Sequence, residues 1–168
     1  MSAPSRSQSP GTLAEYRFVT VWMIPAPAQQ VWDALMAPEQ YVEWWPSFVE
    51  YRPLTPGLTG VGARAERVVR GKLPYSLRYE TVTTAIDPPR EVAYRAIGDL
   101  DGEGRFLVEP SDEPGTTKVT FHWNVRTTGV VMNLLAPLLR PLFAWNHNQV
   151  MAEGERGLEL WLSRRASS

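Results

Sequence analysis

Residues 143–162 read Phe-Ala-Trp-Asn-His-Asn-Gln-Val-Met-Ala-Glu-Gly-Glu-Arg-Gly-Leu-Glu-Leu-Trp-Leu. At 100° of turn per residue, Phe143, Ala144, His147, Val150, Met151, Gly154, Leu158, Trp161 and Leu162 fall on one side of a helix, within an arc of roughly 120°. The other side carries Asn148, Glu153, Glu155, Arg156 and Glu159, and Arg164 and Arg165 follow at the end where cations suit the helix dipole. Such a helix is about 30 Å long, the width of a small domain, and its apolar side must be covered. Gly154 and Gly157 each cost roughly 1 kcal/mol against alanine inside a helix. Gly154 lies on the apolar side, which predicts either close approach of strands or a space left for a ligand.

Upstream, the periodicity changes to two. Tyr16–Ile24 alternates as a first strand, and Pro25-Ala-Pro27 ends it. Pro27 opens a helix through Val31, Trp32, Leu35 and Met36; Pro38 restarts a second short helix through Tyr41, Trp44 and Trp45, which Pro46 closes. Strands are predicted at Phe48–Leu54, Val61–Arg70, Tyr75–Ile86, Glu91–Ile97, Gly104–Glu109 and Thr117–Arg126. Turn sequences such as Pro56-Gly57, Asp87-Pro88-Pro89 and Pro114-Gly115 separate them. Seven strands at hairpin spacing followed by one long helix make an α+β domain: an antiparallel meander closed over the helix. The domain is expected over residues 14–165.

With 168 residues, 43% of them hydrophobic, the chain is large enough for a single core. A net charge of −1 gives no general attraction for nucleic acid. The absence of cysteine excludes disulfides, thiolate metal sites and a cysteine nucleophile. Two histidines without ligand spacing predict no metal, and no phosphate loop or serine–histidine–acid signature points to a cofactor or a hydrolase. Residues 1–13, rich in Ser and Pro and lacking a signal-peptide core, are expected to form a disordered tail on a cytoplasmic protein. Val130–Trp145 is apolar apart from Asn133 and Arg140. Interrupted by Pro137 and Pro141, it is too short to span a bilayer and reads as a lid between the last strand and the helix, or else as a membrane-touching or dimer-forming patch.

The order of elements resembles the START-like (SRPBCC) superfamily, particularly its polyketide cyclase/dehydrase branch. The residues that carry the resemblance are Pro27-Ala28-Gln29-Gln30-Val31-Trp32-Asp33-Ala34-Leu35, the Trp44-Trp45-Pro46 step, Asp87-Pro88-Pro89, and the stretches 98–104 and 115–120. It implies a helix-grip fold in which the seven-stranded sheet wraps the C-terminal helix. It also implies a deep cavity between them for a hydrophobic molecule such as a lipid, sterol or polyketide. The family's cyclases place an arginine and a few hydroxyl groups in that cavity to hold enolate oxygens, whereas its carriers only bind.

Candidate residues follow from the pattern. His147 lies mid-stripe, where an imidazole either orients a ligand carbonyl or acts in proton transfer, or else is a core histidine bonded to a neighbour. Phe143, Met151 and Gly154 share its side, and Tyr79, Tyr94, Phe106, Trp123 and Trp45 supply aromatic wall. Glu80 and Arg95 are the candidate catalytic partners of His147. Most of the charges at Arg64, Glu66, Arg67, Arg70, Arg78 and Arg105 are assigned to a solvent-facing ladder. The parity of the strand at Tyr75–Ile86 is open, Leu77, Tyr79 and Thr81 competing with Glu80, Val82 and Ile86. His122 shares parity with Lys118 and Arg126 and is expected to face outward. Function is thus binding of a hydrophobic small molecule, with an aromatase/cyclase or dehydratase activity, or a chaperone-assisting interaction domain, as the alternatives.

Overall fold

The computed structural model describes residues 15–167, so the tail expected over residues 1–13 lies outside the described residues. The chain begins with β1 (Glu15–Ile24), α1 (Ala28–Leu35), and a 3-10 turn (Pro38–Gln40) that runs into the single-turn α2 (Tyr41–Trp44). The meander follows as β2 (Phe48–Pro53), β3 (Arg64–Val69), β4 (Leu77–Asp87), β5 (Glu91–Gly98), β6 (Leu100–Pro110) and β7 (Thr117–Thr127), and α3 (Val130–Ala166) ends the chain. The sheet is antiparallel throughout with strand order β1-β7-β6-β5-β4-β3-β2. Its two edges are the strands that flank the helical pair in sequence, so α1 and α2 close the sheet at one end of the fold.

Two expectations about element limits are corrected. The strand expected from Gly104 starts at Leu100, since Gly102 and Gly104 interrupt its apolar pattern without interrupting its pairing with Val125 and Trp123. The lid expected over Val130–Trp145 is instead the first part of one 37-residue helix. Pro137 and Pro141 sit four residues apart on its exposed side, so the two carbonyls that lose a backbone donor face water rather than the core. Among the described residues no helix is long and apolar enough to cross a membrane.

The ambiguous parity of β4 has a structural cause. Pairing between β4 and β5 shifts register at a bulge between Thr83 and Ala85, so Tyr79, Thr81 and Thr83 face inward before it and Ile86 packs against the core after it.

The apolar stripe of α3 lies against the sheet as its period requires, with Met151, Gly154, Leu158 and Leu162 buried. Burying side chains of this size contributes roughly 1.5–3 kcal/mol each. What meets the two glycines is neither a strand nor a ligand space. A Cβ at Gly154 would lie 2.5 Å from the indole of Trp45, and one at Gly157 would collide with the carbonyl oxygen of Trp44. Trp45 also donates its Nε1–H to the carbonyl of Val150 at 2.8 Å and meets Trp22 edge-on at 5.1 Å. The glycines therefore let α2 lie directly on α3. Gly157→Ala should lower stability by roughly 2–3 kcal/mol through overpacking against a backbone that cannot turn aside, although helix propensity alone favours alanine. Chemical denaturation checks it, and an unchanged or raised midpoint would contradict the contact.

Candidate functional site

Beyond the point where Trp45 seals it, the space between sheet and helix opens into a cavity of about 250 Å³. Its floor comes from inward-facing residues of the central strands: Tyr79, Thr81 and Thr83 of β4, Val92 and Tyr94 of β5, Phe106 of β6, and Phe121, Trp123 and Val125 of β7. Its roof is the α3 segment carrying Phe143, Asn146, His147, Val150 and Met151, and Tyr16 and Phe18 of β1 close one side. Exposed Leu58 and Thr59 in the β2–β3 connection border it where it meets solvent.

Of the residues singled out in the sequence, Phe143, His147, Met151, Tyr79, Tyr94, Phe106, Trp123 and Trp45 all line this cavity. Gly154 does not, because Trp45 fills the space beside it. Glu80 and Arg95 do not either. Both occupy the outer face, where Glu80 accepts from Arg64 Nε at 2.6 Å and Arg95 pairs with Asp101 at 2.9 Å. Their strand parity puts them on the water side of the sheet, in the same ladder as Arg52–Glu66 and Arg126–Asp101. His122 is opposite Arg105 and Val19 in the register and lies outside the cavity lining.

The cavity's cation is Arg67. It sits on β3 between Ala65 and Val69 of the same parity, and the register places it directly between Tyr51 and Tyr79 on the neighbouring strands. Its guanidinium carbon lies 5.5 Å from the ring centre of Tyr51, 5.6 Å from Tyr41, 5.8 Å from Phe48 and 6.0 Å from Tyr94. Its Nε–H donates to Thr81 Oγ1 at 3.0 Å. Among the described residues no carboxylate comes within ion-pair distance of it, whereas Arg64 on the same strand pairs with Glu80 and Arg78 on β4 with both Glu50 and Glu66. Aromatic faces stabilise the cation by about 0.5–2 kcal/mol each without using its N–H groups as donors, and Arg67 is part of the cavity lining. Grouping Arg67 with the surface charges overlooked its parity with Ala65 and Val69, the signal that identifies it.

Tyr79 and Tyr94 stand beside Arg67. Burial raises both phenols above their ordinary value, Tyr94 well above it, and the nearby guanidinium offsets only part of this. Both are neutral O–H donors near pH 7, and neither hydroxyl has a hydrogen-bond partner among the described residues. Tyr41, whose burial raises it likewise, is engaged: its hydroxyl donates to the Leu35 carbonyl at 2.6 Å.

At the α3 side the ring of His147 stacks on Phe18, with centres 3.9 Å apart and planes 11° from parallel, and its Nε2 lies 3.5 Å from Thr20 Oγ1. Burial lowers its pKa to about 4, so the imidazole is neutral at pH 7. Next to it, Asn146 Oδ1 accepts from the backbone N–H of Lys72 at 2.7 Å and of Leu73 at 3.3 Å. Glu153 pairs with Lys72 and accepts from Ser47 Oγ at 3.0 Å. The β3–β4 turn is thereby tied to α3 along the cavity rim.

A family model described as polyketide cyclase/dehydrase and lipid transport matches residues 16–158. No curated protein sequence matches the chain significantly. Among solved structures, the Zhui aromatase/cyclase from Streptomyces sp. R1128 superposes with a TM-score of 0.73 at 15% identity, covering 90% of this chain and 96% of its own. The protein TTHA0849 from Thermus thermophilus gives 0.70 at 18% identity, covering 91% and 100%. A norcoclaurine synthase from Thalictrum flavum gives 0.58 at 16% identity, covering 89% and 96%. Likeness at these identities is likeness of fold.

The pH response of His147 is testable. Its folded pKa of about 4 lies below the ordinary 6.5, so between those values the unfolded chain binds the proton more readily. Stability is full above pH 6.5 and falls as the pH drops towards 4, by up to roughly 2–3 kcal/mol from this group. Melting curves from pH 7 to 4 should show a smaller acid loss for His147→Leu than for the wild type; parallel curves would place the ring outside the buried environment.

Proposed function

The chain belongs to the polyketide cyclase/dehydrase and lipid transport family, and on that premise we propose that it binds an aromatic or polyketide-like small molecule through an acidic or keto oxygen held by Arg67. The observation that carries this reading is a half-buried cation set among aromatic faces and one hydroxyl, with no carboxylate at ion-pair distance among the described residues, although exposed Glu39 borders the same cavity. Placing a guanidinium in such a site without a counter-ion is costly, and a ligand oxygen supplies the missing partner. Tyr79 and Tyr94 donate to the same oxygen or to its neighbour. Phe106, Phe121 and Trp123, whose rings succeed one another at 4.4 and 5.7 Å, offer a flat apolar surface to the rest of the molecule. A cavity of about 250 Å³ suits a compact ligand, at the small end of the range for small-molecule sites.

Titration of a phenol and β-diketone panel, followed by quenching of tryptophan fluorescence, tests the reading. Arg67→Ala should weaken binding of oxygen-bearing ligands by about 10- to 100-fold, the loss expected for a hydrogen bond to a charged group. It should leave the affinity of purely hydrocarbon analogues almost unchanged. Equal affinity of both ligand classes for wild type and variant would refute the role of Arg67.

A second reading, an aromatase/cyclase or dehydratase, is favoured by the unengaged hydroxyls of Tyr79 and Tyr94 beside Arg67. In this reading neutral His147 removes an α-proton, the guanidinium holds the enolate oxygen that forms, and a tyrosine protonates the carbonyl oxygen that the carbanion attacks and regains its proton from His147; on dehydration His147 takes the next α-proton and returns it to the departing hydroxyl, which leaves as water. Tyr94→Phe should then retain ligand affinity within a few-fold and lose turnover of a poly-β-ketone substrate by about 100-fold or more. A wild-type protein that binds and never turns over such substrates leaves the carrier reading. The chaperone-assisting alternative calls for a filled interior, and the cavity speaks against it.

A further inference from the structure

We propose that the exposed stripe on the first four turns of α3 is the two-fold interface of a homodimer, formed by antiparallel contact of two α3 helices centred on Leu138. The proposal is independent of what the cavity binds.

Val130 is 82% exposed, Leu134 and Leu138 79% each, and Trp145 47%, with Leu135 and Leu142 also open to solvent. These residues recur every three or four positions and form one continuous row on the side of the helix opposite Ala136, Phe143 and His147. Together they expose on the order of 700 Å², close to the ~800 Å² that each partner gives to a specific interface of standard size. Solvated monomers rarely carry an apolar patch of this extent.

The spacing indicates the occupant. An isologous contact sets the same surface against itself, so residues equally far before and after the axis must match. An axis through Leu138 places that leucine against its own copy and Leu134 against Leu142, so the three most central apolar positions of the row match like with like, and Val130 and Trp145 lie at its two ends. Two other occupants fit less well. Residues 1–14 are mostly Ser, Pro and other small or polar types and supply little apolar cover. A helix that lies on anionic lipid carries lysines and arginines along its polar side, whereas Arg140 is the sole formally charged residue between Val130 and Ala152.

Sedimentation velocity from micromolar to hundred-micromolar concentration tests the proposal on the full chain. The wild type should sediment at twice the monomer mass. Leu138→Glu sets two like charges against each other on the axis and should weaken association by at least about 30-fold. Because Leu138 is exposed in the monomer, the variant should keep the far-ultraviolet spectrum of the wild type. Leu134→Lys alone should also weaken the dimer, and adding Leu142→Glu should restore it, because antiparallel pairing brings position 134 of one copy to position 142 of the other. A wild type that stays monomeric at the highest concentration overturns the proposal, as does a double variant that does not recover. Removal of residues 1–14 that converts a monomer into a dimer would assign the stripe to that segment instead. Sedimentation of a monomeric wild type with anionic vesicles, lost in Leu138→Glu, would assign it to lipid.

Discussion

The close contact of α2 with α3 governs the rest of the molecule. Two residues without side chains, Gly154 and Gly157, admit the Trp45 indole and the Trp44 carbonyl to the surface of the helix. Trp45 then becomes a partition. On one side Trp22, Leu158 and Leu162 are packed with almost no exposure; on the other, Tyr94, Trp123 and His147 border open space. A long helix laid evenly along a curved sheet would leave either no cavity or a thin slot along its whole length. Anchoring one end tightly concentrates the open volume at the other. The cost of two helical glycines, roughly 1 kcal/mol each, is offset by the burial of Trp45, which also satisfies its own N–H on the Val150 carbonyl.

The charge distribution follows from the sheet's two faces. Outside, arginines and carboxylates alternate across strands and neutralise one another in water, where each pair contributes little. Inside, Arg67 stands among tyrosines that burial keeps protonated. The interior thus holds a guanidinium and hydroxyls, with the carboxylate of Glu39 at its exposed border and His147 held neutral on the α3 side. Under the proposed function, such a chamber would discriminate by chemistry more than by shape. An oxygen with developing negative charge satisfies Arg67, while an all-hydrocarbon molecule of the same size leaves it desolvated without a partner.

Much of this was legible in the sequence, because the two periods that organise the fold do not overlap. A helical stripe from Phe143 to Leu162 and alternation such as Val119, Phe121, Trp123 and Val125 determine the wrapped architecture, and the aromatic residues named from them border the cavity. Three features were hidden for identifiable reasons. The bulge at Thr83–Ala85 gives β4 two parities, so Glu80 and Tyr79 could not be assigned to faces by alternation. Prolines ordinarily end helices, and only the exposure of Pro137 and Pro141 explains why α3 runs through them. Arg67 was grouped with its charged neighbours in sequence, whereas its surroundings are set by Tyr51 and Tyr79 across the sheet, which local periodicity does not register.

The same register logic ties the two faces of α3 together. Around Phe143 and His147 the helix is one residue-width thick between the cavity and the exposed row of Leu138, Leu142 and Trp145, since neighbours in sequence point about 100° apart. Toward its N-terminus the helix is held by Ala136, by Phe143 against Tyr16 and Tyr75, by Arg140 over the Tyr16 ring, and by Asn133, whose Oδ1 accepts from Thr127 Oγ1 at 2.6 Å. This is far less than the packing below Met151. A wall so lightly held on its inner side gains order from whatever covers its outer side, and a wall that moves changes the volume beneath it. On the proposed dimer, covering the row of Leu138 would stiffen the roof of the chamber without touching Arg67, which sits across the cavity on the sheet. On the two proposals together, ligand size and ligand charge would be read by separate parts of the fold, the first by a helix and the second by a strand.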